Sequence, residues 1–425
     1  MSTPVSDNAA GLLIIGSSQA GVQLAVSLRA LGYEPPITLL GDENHRPYQR
    51  PALSKEFLQG AITKESLIYR TQDYWDEHRI RVVRNERIIR IDKRDDGSGV
   101  AHSMSGAEIP FDRLALTVGA RARRLLLEGV DLPGVLYLRN ADDALELKAR
   151  VPMVKDVVVI GGGFIGIEAA ASLNKMGRTV TLLEAGPRLV GRAVGEETSA
   201  YLLAHHREHG VDVVLDAEVR RIVGAGDRVA GVELADGRVI TADLVLIGVG
   251  VIPNTELAES IGLACDNGIR VDEHALASDG VTVAVGDVAN LPNPVPGAPV
   301  GDRIRFESVN NAVEQAKVAA YAIVGRPEEY AGVPWFWSNQ ADLKLQIAGL
   351  SAGHDRTVVR SDPAKGKHSV LYYRGGAIIA ADCVNAPLDF MAVKAAIAAG
   401  AAIPADEAAD PAVQLKAITI TREQS

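Results

Sequence analysis

The residues best placed to do chemistry form a glycine-marked loop, Gly161-Gly162-Gly163-Phe164-Ile165-Gly166. It follows the apolar run Val157–Ile160 and opens a segment that stops at Gly177. A second apolar run, Val180–Leu183, then ends on Glu184, roughly 20 residues beyond the first glycine. Gly161, Gly163 and Gly166 fill all three positions of G-x-G-x-x-G. Such a loop makes a tight turn and lets backbone N–H groups approach a pyrophosphate at the positive end of a helix. The terminal acid accepts hydrogen bonds from a ribose 2′-OH and repels a 2′-phosphate. Strand, loop, helix, strand and acid therefore predict an NAD site at Gly161, Gly163, Phe164, Ile165, Gly166 and Glu184. Arg188 and Arg192, just beyond, temper the preference for NAD over NADP.

A degenerate copy lies near the start. Leu12–Ile15 runs into Gly16-Ser17-Ser18-Gln19-Ala20-Gly21, with serine at the middle glycine position. Leu24, Leu28 and Leu31 then share one helix face before Gly32, and Ile37–Leu40 follows. Alone, this loop is either a nucleotide cradle or a tight strand–helix turn. Gly41-Asp42-Glu43 stands where a ribose-binding carboxylate is expected. One nucleotide needs one such unit, so two copies suggest two nucleotides, or one dinucleotide and one flavin.

Other chemically capable residues carry two readings each. Arg46-Pro-Tyr-Gln-Arg50-Pro-Ala-Leu-Ser-Lys55 can bring an arginine and a lysine to a cofactor edge on an extended approach and helix start, or form a solvated basic loop. Leu114–Ala120 reads as a buried strand whose small-residue end, Thr117-Val118-Gly119, lies against a cofactor or makes a domain crossover. Asp287, after Val281–Gly286, can accept from a polyol chain or cap the helix expected over 307–324. Trp335 and Trp337 form core, wall a cofactor or face a partner. His205 and His209 share a helix face and can hold a metal. With no further ligand cluster visible nearby, a solvated helix end closed by Gly210 is the preferred reading.

A chain of 425 residues exceeds one hydrophobic core and calls for two or three domains. The net charge of −10 argues against a general nucleic-acid-binding role. Cys265 and Cys383 are far apart and belong to no C-x-x-C pair, which disfavours a disulfide framework or a redox dithiol. Residues 1–11 are polar without a leader pattern, and the alanine-rich stretch 392–405 is broken by Lys394, Gly400 and Pro404. These features predict a cytoplasmic location with no membrane span. From Glu328 onward, short strands joined by glycine turns predict an antiparallel sheet with trailing helices.

Taken together, Gly16–Gly21, Arg50-Pro-Ala-Leu-Ser-Lys55, Thr117–Gly119, Gly161–Gly166 with Glu184, Gly286-Asp287, Glu307-Ser-Val309 and Pro334-Trp-Phe-Trp-Ser338 occur in an order that resembles the FAD-dependent NADH:ferredoxin reductases of bacterial oxygenase systems. The resemblance implies an α/β fold of two Rossmann-like nucleotide-binding domains, glutathione-reductase-like, plus a C-terminal α/β domain. Its implied boundaries are 1–120 and 247–326 for FAD, 121–246 for NAD and 327–425 for the C-terminal domain. It places Gly16, Ser18, Ala20, Asp42, Glu43, Arg50, Lys55, Ile88, Thr117, Gly119, Arg139, Asp287, Val309 and Trp337 at FAD. Lys55 and Glu168 become a pair at the reactive flavin edge. The implied cofactors are FAD and NADH. The implied partner is a [2Fe–2S] ferredoxin serving a cytochrome P450 or a dioxygenase, with the reductase a monomer or weak homodimer. An acidic ferredoxin would need a basic patch, for which Arg70, Arg303 and Arg305 are candidates. Departures are Ser18, Ala52, Val118 and Val288. The same scaffold also hosts disulfide, oxidase and monodehydroascorbate-type reductases and redox-sensing flavoproteins.

Overall fold

The computed structural model describes residues 10–295, 299 and 301–420. The polar opening segment expected over 1–11 lies outside them except for its last two residues. The chain divides into two compact units, and passes between them several times. One comprises the chain up to Gln49, Lys64–Arg121 and Ile252–Gly332; the other comprises Arg50–Thr63, Ala122–Val251 and the chain from Val333 on.

The first unit is built on a five-stranded sheet in the order Val283–Ala284, Arg113–Leu116, Leu12–Ile15, Ile37–Leu40, Ile80–Val83. All pairings are parallel. All four side chains of Leu12–Ile15 are buried, as a strand covered on both faces requires. The helix Gln19–Ala30 connects the first two strands in sequence and ends where Gly32 takes φ +80°. It packs against the helix Val309–Ile323. Ser308, not Asp287, caps that second helix, accepting from Asn311 N–H at 3.0 Å. A three-stranded antiparallel sheet, Ile88–Lys93, Gly99–Ser103 and Glu108–Phe111, completes the unit's main strands.

The second unit repeats the plan with Asp212–Val214, Thr179–Leu183, Asp156–Ile160, Leu244–Ile247 and Val135–Tyr137, in that order and all parallel. Its crossover helix is Phe164–Lys175. The sequence-predicted antiparallel sheet follows as Trp335–Gln340, Leu343–Gly349, Ala377–Val384, Lys367–Arg374 and Arg356–Asp362 in spatial order. The helix Pro387–Ala399 packs against that sheet. No helix among the described residues is long and apolar enough to cross a membrane.

The segment beginning at Leu53-Ser54-Lys55 differs from the helix start expected there. Residues 51–60 wind through consecutive turns that mix hydrogen bonds three, four and five residues apart. A regular α-helix would turn neighbouring side chains about 100° apart. The irregular winding instead brings Ser54 and Lys55, adjacent in sequence, onto one acceptor.

Candidate functional site: two glycine cradles and a buried Lys–Glu pair

In the second unit, Gly161 turns with φ +112°, and its N–H donates to Leu183 O at 2.8 Å. A Cβ on Gly161 would meet Gly248 O at 2.4 Å, and one on Gly166 would meet Gly161 O at 1.9 Å. Both glycines are therefore demanded by close backbone approach. Gly163 is different: it is exposed, begins the helix as its N-cap, and a Cβ there would meet nothing within 4 Å. The open side of the turn is thus the side over the helix N-terminus, where a pyrophosphate fits. Ile165 is also exposed, while Phe164 packs on Phe336 with ring centroids 4.5 Å apart.

Glu184 braces the same turn. Its Oε2 accepts from Gly162 N–H at 2.6 Å and its Oε1 from Gly186 N–H at 2.7 Å. Each oxygen retains lone-pair capacity for a ribose hydroxyl. Arg188 donates to the carbonyls of Val194 and Gly191 at 2.8 and 2.7 Å, which closes its own loop.

The first unit carries the matching cradle. Gly16 turns with φ +114°, and a Cβ on Gly21 would meet Gly16 O at 2.0 Å. Thr117 Oγ1 donates to Gly16 O at 2.7 Å, which fastens the loop to the end of the neighbouring strand. Ser18 is the helix N-cap. Gly286 packs against Ala20, where an added Cβ would come within 3.0 Å, so Asp287 is brought beside the loop. Glu43 accepts from Tyr48 Oη at 2.6 Å, whereas Asp42 is exposed. Gly119 turns at the strand end and accepts from Asn254 N–H at 3.0 Å. Val309 is the half-buried first residue of its helix. Ile88 is only 5% exposed and belongs to the core, so its side chain is committed to packing.

The docking arginines are a correction. Arg305 is ion-paired to Glu307 at 2.7 Å with its side chain 9% exposed, and donates to Asp287 O. Arg303 donates to the carbonyls of Val271 and Asn290. Both turn inward, because strand-end carbonyls buried without partners would be costly. Arg70 alone of the three is exposed.

The chemical centre of the second unit is Glu168, on the first turns of the helix Phe164–Lys175 and 3% exposed. Lys55 Nζ lies 3.0 Å from its Oε2. Ser54 Oγ donates to the same oxygen at 2.6 Å, and Ser338 Oγ donates to Oε1 at 2.7 Å. The chain of contacts continues outward: Gln340 Nε2 donates to Ser338 Oγ at 3.2 Å, and His206 bonds Gln340 Oε1 at 2.9 Å. Burial holds the His206 imidazole below its ordinary pKa, so it is neutral near pH 7. On the other side, Ser172 Oγ donates to Ser54 O at 2.8 Å and receives Gln59 at 3.0 Å. The buried charge of Lys55 is thus matched by a carboxylate held by hydroxyl donors, as a buried ion pair requires.

Arg50 donates to Arg139 O at 2.9 Å, which brings two more of the sequence-predicted residues together. Trp337 is not brought to Glu168. Strand alternation puts Phe336, Ser338 and Gln340 on the face that meets Phe164, Glu168 and His206, and Trp335 and Trp337 on the other. Ser54, Ser338, Gln340 and His206 are the functional neighbours that motif reading missed. For Ser338 and Gln340 the signal was the polar run Ser338-Asn339-Gln340 that directly follows three aromatic residues in one strand.

Comparison with known proteins decides the family. Residues 11–316 match the family described as pyridine nucleotide-disulphide oxidoreductase, and 335–419 match a reductase C-terminal domain. The chain belongs to the pyridine nucleotide-disulphide oxidoreductase family. Rhodocoxin reductase of Rhodococcus erythropolis is 43% identical over 95% of this chain and 93% of that protein. Among solved structures, the ferredoxin reductase for the CYP199A2 system from Rhodopseudomonas palustris superposes with TM-score 0.91 and 39% identity over 96% of this chain and 99% of that one. A covalent putidaredoxin reductase–putidaredoxin complex gives TM-score 0.90 and 36% identity over 97% and 98%. The family resemblance and the glutathione-reductase-like fold read from the sequence are thereby borne out.

Proposed function

We propose that this protein is an FAD-containing, NADH-dependent ferredoxin reductase that passes electrons to a [2Fe–2S] ferredoxin serving a cytochrome P450 or ring-hydroxylating dioxygenase. The observation that carries the reading is the presence of two glycine cradles, one in each unit, the second braced by the carboxylate of Glu184. NADH is assigned to Gly161–Gly166 and Glu184. FAD is assigned to the Gly16–Gly21 loop with Asp42 or Glu43, Thr117, Gly119, Asp287 and Val309. Functional domains follow as 1–120 with 247–326 for FAD, 121–246 for NAD, and 327–425 at the C-terminus. Relatives named for their ferredoxin or P450 systems support the partner class.

When bound, the flavin supplies two-electron acceptance from NADH and one-electron release to the iron–sulfur partner. The chain's own residues position and bias that chemistry. The turn at Gly161–Gly166 holds the pyrophosphate by backbone N–H groups, and Glu184 selects an unphosphorylated ribose. Lys55 and Glu168 are assigned to the nicotinamide and the reactive flavin edge. There the ammonium favours negative charge, and Ser54 and Ser338 hold the carboxylate that orients it.

A disulfide reductase needs a reactive thiolate. Cys383 is fully buried in the C-terminal sheet, and burial raises the thiol pKa of both cysteines. Neither suits nucleophilic redox work. A visible spectrum of purified protein titrated with NADH and then NADPH tests the cofactor assignment. Flavin bands bleached by NADH at far lower concentration than by NADPH are expected; a protein that carries no flavin would overturn it.

A further inference from the structure

The geometry points to Gln340 and His206 as positioning residues for Glu168, which fix the direction of a hydrogen-bonded chain ending on its carboxylate. The inference rests on the assignment of Lys55 and Glu168 to the nicotinamide and the reactive flavin edge. All the residues of the chain belong to the second unit. Ser338 and Gln340 lie two apart on the strand Trp335–Gln340, so they share a face. His206 reaches them from the last turn of the helix Glu196–Glu208. Glu168, Ser338, Gln340 and His206 are each no more than 3% exposed, so bulk water does not decide how their hydrogens are arranged.

The direction is settled from the inside outward. A carboxylate accepts and does not donate, so the hydroxyl hydrogen of Ser338 lies between its Oγ and Glu168 Oε1, 2.7 Å apart. Ser338 has no second hydrogen to offer Gln340, 3.2 Å away. The Gln340 amide therefore turns its NH2 to Ser338 and its oxygen to His206. An amide oxygen only accepts, so His206 Nε2, at 2.9 Å, carries the ring hydrogen. Burial keeps that ring neutral near pH 7, so its single N–H is committed here. The chain thus runs one way, from His206 through Gln340 and Ser338 to Glu168 Oε1, while Ser54 and Lys55 arrive on Oε2.

The amide is what passes the direction on, because it is a donor at one end and an acceptor at the other. Held this way, Gln340 takes no hydrogen from Ser338, and the serine hydroxyl is left to Glu168. Hydrogen bonds in such a series polarise one another in a dry interior. With the amide reversed, Ser338 would donate outward and Oε1 would lose its donor, which frees the carboxylate that holds Lys55. His206 opposes the reversal, since its N–H would then face an NH2.

The test follows reduction of the flavin-loaded protein by NADH in rapid mixing, together with the nitrogen resonances of ring-labelled histidine. Gln340→Met should slow reduction at saturating NADH by about tenfold and leave NADH affinity near wild type; loss of a donor to the reacting group itself costs roughly 100-fold or more. Adding Gln340→Met to Ser338→Ala should slow reduction no further than Ser338→Ala alone, because the amide acts through the hydroxyl; multiplied losses would overturn the proposal. His206→Met should slow reduction in the same sense, and His206→Gln, which restores an N–H donor, should recover most of the loss; equal rates in those two variants would remove His206 from the role. The wild-type protein should show His206 with its hydrogen on Nε2, and a hydrogen on Nδ1 alone would overturn the proposal. Melting temperature and flavin content report whether each variant folds, and the wild-type tautomer decides the direction if one does not. A protein that binds no flavin, or whose flavin NADH does not bleach, fails the assignment on which the inference rests; flavin bleached at the wild-type rate in Gln340→Met fails this inference alone.

Discussion

Removing either partner of the buried Lys55–Glu168 pair should destabilise the protein, and the two losses should not be equal. Glu168 accepts from Ser54 at 2.6 Å and Ser338 at 2.7 Å besides facing Lys55 at 3.0 Å. Lys55→Met therefore leaves a carboxylate that still has two hydroxyl donors. Glu168→Leu leaves a buried ammonium without its anion and two hydroxyls without their acceptor. Breaking a buried pair costs about 3–5 kcal/mol, and Lys55→Met should fall at the low end, Glu168→Leu at or above the high end. On the scale of a 150–250-residue unit this lowers the melting temperature by roughly 6–20 °C. The double variant replaces both charges with apolar side chains of similar size, so it should cost less than Glu168→Leu alone, a coupling of about 3 kcal/mol. Melting followed by circular dichroism reads these differences, with FAD in fixed excess because a bound ligand stabilises by mass action. Additive costs, or a greater loss from Lys55→Met than from Glu168→Leu, would refute the reasoning.

Four further outcomes are expected. Ser18→Gly should retain flavin, since a glycine N-cap costs only a few tenths of a kcal/mol, whereas Ser18→Trp should yield apoprotein; absorbance near 450 nm on the order of that of free flavin decides between them. Glu184→Gln should lower kcat/KM for NADH about 10- to 150-fold, matching about 1.5–3 kcal/mol for a hydrogen bond to a charged acceptor, and lower it less for NADPH; equal losses would place the selection elsewhere. Ser338→Ala should slow reduction by NADH while leaving NADH affinity near wild type, because the serine positions Glu168 from the side of the C-terminal strand; an unchanged rate removes it from the site. Asp382 is buried, and burial raises its pKa to about 6, despite hydrogen bonds from Tyr372 Oη at 2.6 Å and Gly195 N–H at 3.2 Å. With the folded value above the unfolded one, its contribution is greatest below about pH 4 and is lost as pH rises to about 6, some 3 kcal/mol in all. The melting temperature of Asp382→Asn relative to wild type should therefore climb across that window and level above it; a flat difference contradicts the assignment.

Much of this was legible because local rules and tertiary demand agree. Gly161 turns at positive φ and Gly166 is required by contact with Gly161 O, so a motif 6 residues long carries much of its own geometry, although Gly161 is also pressed by Gly248 from a neighbouring strand end. Leu12–Ile15 and Val157–Ile160 read as buried strands because parallel strands need apolar residues on both faces. The winding of residues 51–60 was not legible, since its turns are set by convergence on Glu168, more than 100 positions away in sequence. The inward turn of Arg303 and Arg305 was hidden for a similar reason: a basic run reads as solvated until the carbonyls it satisfies are known. The pairing of His205 with Asp342 was hidden in the same way, because only the hairpin brings that carboxylate beside the helix end.

The central claim concerns electron flow from NADH through a flavin to a one-electron carrier. Its most direct measurement is anaerobic mixing of the flavin-loaded protein with NADH and a [2Fe–2S] ferredoxin, following flavin and iron–sulfur absorbance together. The account predicts two ferredoxins reduced for each NADH consumed, at a rate that falls with Lys55→Met and Glu168→Gln. Flavin bleached by NADH with no electrons reaching any [2Fe–2S] ferredoxin tried would contradict it.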